Sequence, residues 1–301
     1  MGAYACDGQQ LLRCTGDPGG PAPERTCFGI ERCDAGRGEC APACRPGEIY
    51  VPATGSKGFV MGAGFTVNAS ASRIGKGHRP GSDRRHSVVL SRPFCIDATE
   101  VTVAAVVKCI AERGCEKPSL ARRFATYPTK VDHPVNAYSW RAARFFCEQY
   151  GKSLPTEAQW EWAATGGDER AYPWGAEPPT CERADFTPGE LPHPAADAGC
   201  HGGGPSAVGS HPSGAKEWPA GKIHDLAGNV WEWCLDNYEP YPERQEVDPL
   251  HKTLEDGPHV VRGGGWNRSA AGINTRFRGG ARVDYMVPGL GFRCVRNALD
   301  P

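Results

Sequence analysis

Apolar residues recur with helical spacing in three segments of the chain. The first follows Thr102 as "VAAVVKCIAER" and stops at Gly114, a capping residue before the run and a glycine after it. The second starts at Ser139 and runs "WRAARFFCEQY" to Gly151, which sets Trp140, Ala143 and Cys147 on one face. The third opens with Thr156 and has Gln159 three residues on, a capping box, with Pro155 before it and Gly166-Gly167 after it. Trp160, Ala163 and Ala164 form its buried side. Elsewhere the pattern is of short apolar runs broken by glycine and proline. "EIYVPATGSKGFVMGAG" predicts a strand pair opening a domain, and "HVVRGGGW" a further strand. Between them "RIGKGHRPGSDRRHSVVLSRP" is a polar, basic loop leading into the apolar "HSVVLSRPFCIDATEVT". No helix is predicted in the last half of the chain, and no repeat of solenoid or propeller period is present.

The first 44 residues differ in texture. Six cysteines (Cys6, Cys14, Cys27, Cys33, Cys40, Cys44) alternate there with Gly, Pro, Asp and Arg, too polar a segment to bury a core. Residues 1–45 are therefore expected to form a small disulfide-stapled module, whose pairing the sequence leaves open, and residues 46–301 a separate domain.

Composition sharpens this picture. Glycine (39) and proline (27) are abundant while 39% of residues are apolar, which predicts a loop-rich chain; eight tryptophans and fourteen cysteines argue that it folds. An even cysteine count without paired CxxC spacing points to disulfides made in an oxidising compartment, hence a secreted or cell-envelope (periplasmic) protein. The start, Met-Gly-Ala-Tyr-Ala-Cys, lacks a signal-peptide pattern, so the expectation is an export signal that was removed or not annotated. No apolar run approaches the roughly 18 residues of a membrane span. A formal net charge of −1 leaves no electrostatic footprint for nucleic acid or anionic membrane.

The ordered segments "GFVMG", "FCIDATEVT", "HPVNAYSWRAARFFCEQYGKSLPTEAQWEWAATGG", "YPWG", "AVGSHPSG", "HDLAGNVWEW", "VVRGGGW" and "GLGFRCVRN" resemble the formylglycine-generating-enzyme (sulfatase-modifying factor) family. The resemblance implies one α+β domain related to the C-type-lectin arrangement, with little regular secondary structure, preceded by the cysteine-rich module.

Enzymes of that family oxidise a cysteine of a client sulfatase with two thiolates that hold copper(I), a soft ion that prefers sulfur. The matching stretch here, Gly263 to Arg276, contains no cysteine: Arg268 or its neighbour falls where the first thiol would sit, and Ile273 or Asn274 at the second. Copper is therefore not expected. The iron-dependent sulfoxide synthases of the same fold need an H-x3-H-x-E site that the nine scattered histidines do not supply. Trp266, Arg268, Asn274, Arg276 and Arg278 would line the vestigial groove, a surface suited to an acidic peptide, a carboxylate or a sugar.

The resemblance further implies structural calcium. One site would use the side chains of Asp225 and Glu232 with the carbonyls of Gly228 and Val230; a second would use Asp185 and the carbonyl of Phe186, completed by the "DAGCHGGG" loop. It also implies a disulfide between Cys147 and Cys294. With that bridge assigned, the domain's other cysteines are expected to pair as Cys109 with Cys115, Cys181 with Cys200, and Cys95 with Cys234. The functional expectation is a calcium-stabilised peptide- or glycan-binding or scaffold protein without oxidase activity. The competing expectation is a divergent oxidoreductase of this fold acting on a protein cysteine or a small metabolite.

Overall fold

The computed structural model describes residues 44–63, 83–119, 123–189, 199–252, 254 and 256–298, and the backbone of five short strands before them. These five are β1 (Tyr4–Asp7), β2 (Gln10–Arg13) and β3 (Ala22–Thr26), in an antiparallel sheet, and the hairpin of β4 (Glu31–Asp34) with β5 (Glu39–Pro42). Cys33 and Cys40 hold opposite register positions in that hairpin. The pairing of Cys6, Cys14 and Cys27 lies outside the described residues.

The domain that follows begins with β6 (Glu48–Val51), β7 (Phe59–Met61), β8 (His86–Val89) and β9 (Phe94–Asp97). Three helices come next, α1 (Val103–Arg113), α2 (Trp140–Gln149) and α3 (Glu157–Thr165). The remainder is short strands: β10 (Lys216–Trp218), β11 (Gly221–Ile223), β12 (Trp231–Asn237), β13 (Glu246–Val247), β14 (His259–Arg262), β15 (Arg278–Ala281), β16 (Leu290–Gly291) and β17 (Val295–Asn297). The largest sheet has the order β15-β14-β12-β16, and small sheets β17-β9-β6, β13-β8-β7 and β10-β11 surround it.

The helices start and stop where their caps dictate. Thr102 accepts from Ala105 N, and Gly114 closes α1 in the left-handed region at φ 73°. Ser139 caps α2, and Thr156 with Gln159 forms the reciprocal capping box of α3. The helix α3 is more enclosed than its pattern predicts, because Glu157, Glu161 and Trp162 are buried together with Trp160, Ala163 and Ala164. The expected strand pair is also rearranged: β6 pairs with β9 and β7 with β8, not with each other. Both partners present alternating apolar positions to the core, and local sequence carries no signal for which of two such strands is the neighbour.

With so few ladders, tryptophans tie loops to the core. Trp140 Nε1 donates to Cys234 O at 2.8 Å, Trp233 Nε1 to Tyr138 O at 3.0 Å, and Trp162 Nε1 to Pro52 O at 2.8 Å. Each therefore buries a large apolar face without stranding its polar atom. Disulfides join Cys147 to Cys294, Cys109 to Cys115, and Cys181 to Cys200. Such bridges form in an oxidising compartment.

The expected Cys95–Cys234 bridge does not form. Cys95 instead bonds Cys44, with a Cα–Cα separation of 5.5 Å, so the last cysteine assigned to the N-terminal module staples it to β9. Cys234 is a free, buried thiol on β12. Burial pushes that thiol well up from its ordinary range, with the negative charge of Glu157 adding to the effect, which keeps it protonated and unreactive. Among the described residues, no helix is long and apolar enough to cross a membrane.

Candidate functional site

The segment that follows β14 makes a tight excursion before entering β15. Gly264 lies at φ 73°, and a Cβ there would come within 2.2 Å of Gly272 O, so only glycine fits the fold-back. The fold-back lays Arg268 alongside Gly272 and over the Trp231 ring, its guanidinium carbon 5.3 Å from the ring centroid. Burial pulls the Arg268 guanidinium down to about 10.

Trp266 is buried, and Phe124 packs edge-on against it at 5.0 Å between centroids. Phe124 itself is half-buried, adopts φ 67°, and carries Arg123 stacked on its outer face at 4.7 Å. Strain of that kind persists only where the surroundings hold it, and here Asn136 Nδ2 donates to Phe124 O at 2.9 Å. Three enclosed polar atoms of this region, Trp231 Nε1, Trp266 Nε1 and Asn267 Oδ1, have no protein partner. Arg268 and Asn274 are half-exposed.

Arg276 and Arg278 do not line this surface. Both are buried: Arg276 donates to Gly62 O and Asp168 O, and Arg278 forms a two-pronged pair with Glu157, 2.7 Å for each prong. Unlike Arg268, both lie at the end of the fold-back: Arg276 just before β15 reaches the backbone of Gly62 and Asp168, and Arg278, the first residue of β15, reaches Glu157 on α3. Arg262 completes that lattice, reaching Glu157 at 3.2 Å and Thr275 O at 2.9 Å and pairing with Glu161. Burial alone would raise the Glu157 carboxyl, but Arg278 and Arg262 hold it below the usual carboxylate range.

Of the residues expected to hold calcium at the first site, Asp225, Gly228 and Val230 lie on the turn before β12 and Glu232 is the second residue of that strand. Asp225, at φ 58°, is buried, and its Oδ2 accepts from Gly209 N at 2.6 Å. Glu232 accepts a guanidinium fork from Arg293 (2.7 and 2.8 Å) and the indole N–H of Trp160 (2.8 Å). Its Oε1 takes only one of those bonds and retains lone-pair capacity.

A third acid, Glu100, was not singled out by sequence. It is buried, with one oxygen bonded to Asn229 Nδ2 at 3.0 Å and Oε2 without a partner. Burial pushes its carboxyl well up, and the charges of Asp225 and then Glu232 add to this while Arg293 opposes them. Glu100, Asp225 and Glu232 are thus three enclosed carboxyl groups around the Arg293 guanidinium, but their oxygens do not all lie within 4.8 Å of one another. Among the described residues, the one group of three side chains already gathered within 4.8 Å is Cys44, Glu48 and Cys95, whose sulfurs are joined to each other.

Asp185 is otherwise employed. Its oxygens accept from Cys200 N at 3.2 Å and Ser206 Oγ at 2.7 Å, and its carbonyl from Asn229 N at 2.8 Å. Phe186 is buried beside it, and Asp197 lies outside the described residues. Asn229, at φ 55°, is thus a junction: its side chain reaches Glu100 and Ser206 N, and its carbonyl accepts from Trp266 N. The Gly228-Asn229 pair in "DLAGNVWEW" was the available signal, since Asn tolerates the left-handed region.

At the position of the expected copper ligands the side chains are Arg268, Ile273 and Asn274, and the free thiol of Cys234 is buried in the core instead. This donor set does not fit copper(I).

Comparison with known proteins agrees with this architecture. Residues 48–298 match the model of the sulfatase-modifying factor enzyme 1-like domain. The formylglycine-generating enzyme of Streptomyces coelicolor is 31% identical over 319 aligned positions, covering 88% of this chain and 95% of the relative. A bovine protein named inactive C-alpha-formylglycine-generating enzyme 2 is 34% identical over 179 positions, covering 57% of this chain and 53% of its own length. The chain thus spans about half of that mammalian relative. Among solved structures, PvdO from Pseudomonas aeruginosa superposes with a TM-score of 0.60 at 19% identity, covering 85% of this chain and 96% of that one. Treponema denticola variable protein 1 gives 0.53 at 18%, covering 83% and 94%. Fold, motif order and sequence similarity together show that the chain belongs to the formylglycine-generating-enzyme, or sulfatase-modifying factor, family.

Proposed function

We propose that this member of the family is a secreted or cell-envelope binding protein that recognises a peptide or glycan and does not generate formylglycine. The observation that carries the reading is the absence of cysteine from Gly263 to Arg276, where Arg268 or its neighbour and Ile273 or Asn274 stand in place of the family's thiol pair. Oxidising a client cysteine through copper needs sulfur ligands at that place, and a guanidinium supplies none. The Phe124–Trp266 wall, the Arg123 and Arg268 guanidiniums and the enclosed indole N–H groups support a ligand-holding surface. That a mammalian relative carries the name "inactive" supports loss of the reaction within the family.

Calcium is the cation we propose for the Asp225 turn, held by Asp225, the carbonyls of Gly228 and Val230, and Glu232, with Glu100 contributing charge. Its part is structural: it would neutralise the acids and fix the Asn229 junction that supports Trp266.

The test is to incubate the protein, loaded with copper or iron, with oxygen and a cysteine-containing sulfatase-motif peptide, and to weigh the peptide. Its mass should be unchanged, and a loss matching conversion of thiol to aldehyde would overturn the reading. In parallel, calcium should raise the melting temperature of the wild type and not that of Asp225→Asn. An equal response of the two would remove calcium from this turn.

A further inference from the structure

We propose that a second cavity, sharing no residue with the surface around Trp266, binds a small organic monocarboxylate with an apolar body. The cavity has a volume of about 410 Å³, within the range of small-molecule sites. Helical spacing builds its two walls. On α1, Ala105 and Lys108 are three residues apart and share a face; across from them Phe146 and Tyr150, four apart, project from the end of α2. Val101, just ahead of α1, adds to the apolar lining.

The aromatic wall is fixed before any ligand arrives. Phe146 is buried against Phe292 (5.4 Å) and Tyr150 (5.0 Å), and Arg113 stacks on Tyr150 at 4.6 Å. Rigid apolar walls of this kind lower the ordering cost of binding.

The charges around the cavity divide into two sets. Lys152 is occupied, bridging Asp97 at 2.5 Å and Glu48 at 2.8 Å. Glu48 also takes Arg296 at 3.0 Å, and Asp97 accepts from Cys294 N at 2.9 Å, so these acids are satisfied within the protein. Glu100 also lines the cavity, one oxygen bonded to Asn229 in the junction described above and Oε2 without a protein partner. Arg45 and Lys108 differ: both are exposed at the cavity, and although the Arg45 backbone N–H donates to Glu48 at 2.9 Å, among the described residues neither side chain is paired with a carboxylate. Arg45 is nevertheless held in place, since its Nη1 donates to Tyr150 O at 3.1 Å and it follows the Cys44–Cys95 staple. Two cationic side chains with no carboxylate pair among the described residues, beside an aromatic and aliphatic wall, select an anionic head joined to an apolar tail.

The probe is 3-phenylpropionate, titrated into the full chain by calorimetry with 3-phenylpropionamide as its neutral counterpart. The acid should saturate one site and bind at least about tenfold more tightly than the amide, as a charge-assisted contact requires. Lys108→Gln and Arg45→Gln should each weaken the acid roughly three- to tenfold and leave the amide unaffected. Ala105→Trp should abolish binding of both by filling the space, with the melting temperature reporting that the variant folds. Should it not fold, the exposed Lys108→Glu serves instead and should eliminate acid binding alone. Arg268→Ala should leave this affinity unchanged, which separates the cavity from the Trp266 surface. Equal binding of acid and amide, full binding to Ala105→Trp or Lys108→Glu, or no binding of 3-phenylpropionate, hexanoate or indole-3-acetate below about 10 mM would overturn the proposal.

Discussion

Two neighbouring regions of this domain have been treated differently. In the lattice of α3, β14 and β15, every charge has a counterpart: Glu157 receives Arg278, Arg262 and the Tyr241 hydroxyl, and Arg262 also pairs with Glu161. In the fold-back that leads out of β14, the stretch Gly263 to Arg276 holds no cysteine, and Trp266 Nε1 and Asn267 Oδ1 are enclosed without a protein partner, as is Arg262 Nε in the lattice. The contrast teaches which constraint acts on which residues. An enclosed guanidinium without its carboxylate is costly enough to destabilise the whole domain, whereas thiols at the rim of a groove can be replaced at little cost to folding.

The largest effect should therefore come from the lattice. Glu157→Gln keeps the shape but leaves two buried arginines short of charge, and should lower unfolding free energy by about 3–5 kcal/mol. Chemical denaturation measures this; a change below about 1 kcal/mol would mean that the lattice is not under the constraint described.

How much of each region could be read beforehand follows the same division. Helix ends were legible because capping is local: Thr102, Ser139, Thr156 and Gly114 act on atoms within a turn. The domain's motif order was legible, and with it the absence of cysteine from Gly263 to Arg276. What sequence missed depends on long-range pairing. Cys95 lies 51 residues from Cys44, and only the β6–β9 register brings them together. Arg276 and Arg278 share the basic character of Arg268, and nothing local tells that they are buried against distant segments. Glu100, far from Asp225 in the chain, joins the acid group only once Asn229 is in place.

A second, intermediate effect lies at the edge of the lattice. His259 stacks on Trp140 at 3.8 Å between centroids, and its Nδ1 lies 3.1 Å from Leu235 O and from Asp236 O. Burial pushes its imidazole down to about 4 despite those carbonyls. A depressed value means that the folded state favours the neutral ring. The associated stability is present above the ordinary value near 6.5 and is lost as pH falls towards about 4. Asp236, raised by burial to about 6, contributes the opposite slope over pH 4 to 6 in any variant that keeps it. The difference between wild type and His259→Phe isolates the imidazole: relative to the variant, the wild type should lose about 2–3 kcal/mol across that interval. Parallel stability curves for the two proteins would show that His259 does not titrate there.

The smallest effect belongs to the fold-back, and it is the most informative about why the reactive residues could change. Arg268 rests its stem against Gly272 and its guanidinium over Trp231, while the wall behind it is set by backbone bonds, Trp266 N to Asn229 O and Thr187 N to Arg268 O. Truncation in Arg268→Ala leaves those bonds intact and removes a cation–π contact worth about 0.5–1 kcal/mol at such a site, so the melting temperature should fall by only a few degrees. Binding of whatever the groove holds should fall far more, because the proposed groove loses the guanidinium of a half-exposed residue. A loss of stability comparable to that of Glu157→Gln would instead place Arg268 within the constrained lattice. The side chain standing in the first thiol's place would then have been kept for folding, and the groove would need another residue to carry its specificity.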